Sequence, residues 1–151
     1  MNTALVVLAL TLQLPGVAPP MPDCRVTEPA IADPGVERLG EIRLPPDRWY
    51  VNSDKTIWAG GAALRLLSDD TRNGIVWIRP KGQSLTVTAR RLDGGSTRTS
   101  TLPPGDSPFV VSALLIRDAG CWEVTATAGE NELRFVTVVQ PPEPPPQGEA
   151  R

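Results

Sequence analysis

"RDAGCWEVTATAGENELRFVTVV" runs from Arg117 to Val139. Two alternating runs flank Gly129-Glu130-Asn131. Successive side chains of a strand point to opposite faces, so alternation of apolar and polar residues marks a strand with one face in a core. Trp122, Val124 and Ala126 share one face, and Cys121, Glu123, Thr125 and Thr127 share the other. On the return run Leu133 and Phe135 point inward and Arg134 outward. The stretch predicts an antiparallel hairpin over 121–128 and 132–139, with a tight turn between.

Working outward, the pattern repeats. Short runs rich in Val, Ile, Thr and Trp lie at 47–51, 56–59, 62–67, 74–79, 84–92, 97–102 and 108–116. Gly, Pro, Asp and Asn separate them. No window holds a sustained helical apolar stripe, and no internal repeat is evident. Many short strands at this spacing predict an all-β sandwich or barrel. We read it as one antiparallel sandwich over 40–140. An extended Pro-rich arm at 19–39 precedes it, and a disordered Pro-rich tail at 141–151, "PPEPPPQGEAR", follows it.

The first residues carry an apolar run from Ala4 to Leu14, too short for a bilayer, which needs about 20 residues. Its length suits the apolar region of a signal peptide, and Gly16-Val17-Ala18 supplies small residues for cleavage. The reading is a signal peptide over 1–18; the alternative is a buried element of the domain. No Lys or Arg precedes the run. A lipid anchor on Cys24 is a further alternative, although Met21-Pro22-Asp23 is a poor acylation motif.

Composition narrows the chemistry. The 151-residue chain contains no histidine, which excludes Ser-His-Asp and Cys-His nucleophilic catalysis and His-based metal sites. Two cysteines cannot by themselves make a four-cysteine zinc site. A net charge of -2 gives no basic field to attract nucleic acid. No catalytic residue, metal or cofactor is expected.

Two motifs resemble an immunoglobulin-type sandwich. Asp118-x-Gly120-x-Trp122 is similar to the Asp-x-Gly-x-Tyr stretch that opens strand F. Trp122 stands where the Tyr would be, so the hydroxyl bond of that corner is expected to be missing. "VWIRPKGQSL" is similar to a strand C, with Trp77 as the core Trp. Two residues after Trp122 stands Val124, so the inter-sheet disulfide of antibody domains is not implied. Over Trp58 to Val139 the chain also resembles a group of small exported bacterial proteins with a C-terminal Gly-Cys-Trp-Glu-Val-Thr hairpin. That resemblance implies fold and compartment, secreted or periplasmic, and no active site.

Cys121 lies on the face away from Trp122, outside the expected core. In an oxidising compartment Cys24 is its one partner within the chain, and a bridge would clip the arm across the outer sheet face. It would close a loop worth about 4.7 kcal/mol in a chain-entropy treatment. A free thiol, an intermolecular bond and the lipid anchor are the alternatives.

Trp49 and Trp58 are possible ligand contacts, as a sugar platform, with core packing as the competing reading. Asp69-Asp70 with Asn73 reads as a turn rather than a calcium loop. Arg90, Arg91 and Arg98 read as solvated side chains rather than a basic patch. The expected function is a non-catalytic binding or structural module of the cell envelope, its partner a protein or glycan there. A carbohydrate-binding module using exposed Trp is the alternative. No transmembrane helix is expected in the mature chain.

Overall fold

The alternation seen along the sequence becomes two stacked layers. The computed structural model describes residues 24–34, 47–60, 66–67, 74–113 and 116–141. The signal peptide at 1–18, the Asp69-Asp70-Asn73 turn and the tail from 142 lie outside the described residues, which form no helix.

Among the described residues ten strands build two five-stranded sheets. The first has the order β1 (Ala30–Ala32), β2 (Asp47–Val51), β3 (Trp58–Gly60), β5 (Gly74–Ile78), β8 (Phe109–Ala113). The second has the order β4 (Leu66–Leu67), β10 (Asn131–Gln140), β9 (Gly120–Ala128), β6 (Leu85–Arg91), β7 (Thr97–Leu102). Strands 47–51 and 97–102 match the expected bounds, and the others differ by a few residues at their ends. The expectation of an all-antiparallel sandwich needs one correction. β4 pairs with β10 in parallel, Val139↔Leu66 and Gln140↔Leu67. Most of the domain separates these strands in sequence, so no hairpin enforces the opposite sense. β1 is a second difference: no strand is expected in the Pro-rich arm, which instead adds one to the first sheet.

The opening hairpin forms as its pattern requires. Asn131 lies opposite Ala128, leaving the two-residue turn Gly129-Glu130. Gly129 takes φ 59°, the positive value a primed hairpin turn needs at its first central position.

Between the sheets lies the main core. Tyr50, Ile57, Ala59, Ile75 and Trp77 meet Leu85, Val87, Trp122, Val124, Leu133 and Phe135 there. Tyr50 stacks on Phe135 with ring centroids 3.9 Å apart and an interplanar angle of 9°. Trp77 buries its indole and donates Nε1–H to Ser112 Oγ at 2.7 Å, so burial strands no polar atom there.

The two sheets treat their other faces differently. On the second sheet that face is polar: Thr86 and Thr101 hydroxyls lie 3.2 Å apart, Thr88 and Thr99 3.1 Å apart, and Arg90 pairs with Glu123 at 2.9 Å. On the first sheet it is apolar. Trp49, Trp58 and Ile78 form a separate buried cluster with Ala32, Val51, Val76 and Phe109 packed against it.

Gly60 makes room for that cluster. A Cβ at this position would lie 2.4 Å from Trp49 Cε3 and 2.8 Å from the Arg48 backbone oxygen. One neighbour is a buried ring and the other is backbone, so neither can move cheaply. Gly60→Ala is expected to cost about 1–3 kcal/mol by overpacking. Urea unfolding checks this, and a variant as stable as the parent would contradict the packing.

Candidate functional site

The arm is the feature that joins both layers. Its described part, 24–34, opens on Cys24, bonded to Cys121 with the two Cα atoms 5.7 Å apart. Cys121 is 3% exposed yet lies outside both core clusters. It occupies the face of β9 opposite Trp122, as alternation requires. Thr27 then meets the open edge of β10: its N–H donates to the Val136 oxygen at 2.9 Å, and its hydroxyl accepts from the Val136 N–H at 2.9 Å. Further on, β1 pairs with β2 through Ala30↔Trp49, Ile31↔Arg48 and Ala32↔Asp47. One short segment thus binds a face of the second sheet, its edge, and the edge of the first sheet.

A cleft of about 140 Å³ lies where the arm crosses between sheets. Thr27, Glu28, Trp49, Tyr50, Arg134 and Phe135 are among its walls. Glu28 and Arg134 bring opposite charges to it. Tyr50 contributes a perturbed phenol. Burial pushes its pKa above the ordinary 10.0; a hydrogen bond with Thr137 pulls down and the Glu28 carboxylate pushes up.

The Asp118–Trp122 motif forms a corner. There is no tyrosine hydroxyl, as expected, and the indole makes a bond of its own: Trp122 Nε1–H donates to the Asp118 backbone oxygen at 3.0 Å. The Asp118 carboxylate accepts from Ser96 Oγ at 3.1 Å. Gly120 sits at φ 146°, and an added Cβ would press on the Arg91 guanidinium at 3.1 Å. The motif serves packing and chain direction. Trp77 is also core, but its likeness to strand C is not carried through. β5 lies in the sheet opposite the β9–β10 hairpin, and after the Pro80-Lys81-Gly82 turn the chain enters that other sheet as β6.

The sugar platform is not formed. Trp49 is 1% exposed and Trp58 6%. They pack edge-to-face against each other at 6.3 Å, and Trp58 Nε1–H donates to the Lys55 oxygen. Sequence alternation could not reveal this, because it assigns faces and not what covers them. Arg90 and Arg91 are spoken for by Glu123 and Asp93. Among the described residues no cluster of three His, Cys, Asp or Glu could hold a metal, and no helix is long and apolar enough to cross a membrane.

No family model and no solved structure matches the chain.

Two outcomes follow from this geometry. The double variant Cys24→Ser/Cys121→Ser should lose about 2–5 kcal/mol against the oxidised parent and match the reduced parent, read by urea unfolding. Equal stability of variant and oxidised parent would mean the bridge constrains nothing. Tyr50 is the chain's one tyrosine, so tyrosinate absorbance reports it alone. Its midpoint should lie above pH 10. A raised folded pKa means the contribution is complete below pH ~10 and is lost as pH climbs through the folded value. A midpoint at or below 10 would count against burial of the phenol.

Proposed function

We propose that this chain is an exported, non-catalytic binding or structural module of the bacterial cell envelope, built on an immunoglobulin-like sandwich. The observation that carries the reading is the Cys24–Cys121 disulfide. Such bonds persist in oxidising compartments, and this one lies just after an apolar segment suited to export.

Strand order supports the architecture. The β9–β10 hairpin with β6 beside β9 is laid out like strands F, G and C. The β3-β5-β8 set opposite is laid out like A, B and E. On this reading Trp77 occupies a strand B position rather than strand C. Absence of histidine from the sequence supports a non-catalytic role. A rigid sandwich offers its edges and end loops for binding, and a protein or glycan of the envelope is the partner class we favour. Burial of Trp49 and Trp58 speaks against the carbohydrate module.

Intact mass of the protein from its native host tests the compartment. The expected result is a chain shortened by about 18 residues that gains about 2 Da on reduction. Added acyl mass would redirect the reading to a tethered lipoprotein. A full-length chain with two free thiols would overturn export.

A further inference from the structure

Arg79 is a buried cation that the chain leaves without a counter-charge. It directly follows β5 and is 5% exposed. Two residues after Trp77, it shares that residue's inward face, and it reaches the second sheet at the end of β7. A guanidinium keeps its charge in a protein, and burying a charge is costly unless it is paired and hydrogen-bonded. Arg79 meets little of this requirement. Its one side-chain bond runs from Nη1–H to the Leu102 oxygen, at a long 3.4 Å. Its Nε is buried and has no acceptor. Among the described residues the ion pairs join other side chains, and none includes Arg79.

The connection from β7 to β8 runs beside this guanidinium. Arg79 N–H donates to the Pro108 oxygen and Gly82 N–H to the Gly105 oxygen, both at 3.0 Å. Gly105 leaves one side of the cation uncovered. A Cβ at that position would meet a single atom within 4 Å, Arg79 Nη2 at 3.5 Å. Gly105 is not among the glycines at positive φ. Neither backbone conformation nor packing therefore demands glycine there. What its bare Cα provides is a space whose nearest protein atom is a charged donor.

We propose that Arg79 and the space beside Gly105 form a carboxylate-binding site, at the end of the sandwich where β5 passes to β6 and β7 to β8. One carboxylate oxygen takes the place a side chain at 105 would fill and accepts from Nη2–H. The pairing supplies the charge-assisted bond that the buried guanidinium lacks. Charge and room select the ligand class. Lys81 in the neighbouring turn and Asp106 in the loop are both exposed and offset each other, so the site carries one net positive charge and suits a monoanion. The opening lies over Nη2 alone, while Nε is closed off. It admits a single oxygen rather than the clustered oxygens of a phosphate.

Acetate titration of the isotope-labelled full chain at neutral pH tests this, with acetate replacing chloride at constant ionic strength. The Gly105 amide and the Arg79 Nε–H resonances are the reporters. Both should shift saturably, with half-saturation on the order of 10 mM. Inorganic phosphate should bind more weakly than acetate. Gly105→Ala puts a Cβ into the space at an ordinary contact distance, so the fold is kept while acetate affinity falls at least about tenfold. Arg79→Gln removes the charge, and its Gly105 amide should no longer respond.

A linear drift common to the wild type and Gly105→Ala would be a bulk salt effect and would overturn the site. Undiminished affinity in Gly105→Ala or Arg79→Gln would overturn it too, because the anion would then sit elsewhere. A response confined to Asp106→Asn would show that the chain's own carboxylate answers Arg79, which leaves no place for a ligand. Phosphate binding more tightly than acetate would sink the carboxylate assignment.

Discussion

The two-residue period of β9 is the constraint on which the rest of the structure depends. Trp122 and Cys121 are neighbours in sequence, and a strand sends them to opposite faces. One anchors the core between the sheets, and the other receives the arm outside it. A slip of one residue against β10 would exchange them, burying the bridge position and exposing an indole. The register Thr137↔Trp122 and Val138↔Cys121 therefore fixes core and arm together. Gly129 at the turn helps to set that register, because a two-residue loop leaves it no freedom.

The two sheets solve different problems. The second shows solvent a face of paired threonines and the Arg–Glu pairs Arg90–Glu123 and Arg134–Glu132, the ordinary arrangement of a half-buried antiparallel sheet. The first is apolar on both faces. Tyr50, Ala59 and Trp77 serve the main core, while Trp49, Trp58 and Ile78 serve the smaller one. Gly60 is the concession that lets the Trp49 ring lie on the sheet. Because this smaller cluster includes Ala32 at the end of β1, arm and first sheet share apolar contact as well as a ladder.

How legible this was follows from the same period. Thr86, Thr88 and the hairpin from Cys121 to Val139 declare their faces because polar and apolar residues alternate there. In β2 and β3, "DRWYV" and "WAG" do not alternate, since both faces are buried or covered, and so Trp49 and Trp58 read ambiguously. β1 was hidden for another reason. Three residues, "AIA", between Pro29 and Pro34 carry no strand signal of their own; β2 supplies the ladder partner. The bridge was legible from cysteine parity. The Trp122 corner bond was not, because an indole N–H reaching a carbonyl four residues back depends on the chain direction set at Gly120.

Edges explain why one arm does so much. An open strand edge presents unpaired N–H and C=O groups to any passing strand. β2 and β10 would each present one on the same side of the sandwich. The arm covers β2 by pairing and β10 at Val136 by the Thr27 backbone and hydroxyl, while β4 covers the end of β10. The β1–β2 ladder itself is indifferent to side-chain identity, whereas the Thr27 hydroxyl at Val136 and the Ala32 contact with the Trp49–Trp58 cluster are not. The covalent bond at its head adds to these contacts by keeping this strand close to the edges it covers. Protection of the edges and retention of the arm are thus one property, shared by the bridge on the outer face of β9, the Thr27–Val136 bonds and the β1–β2 ladder.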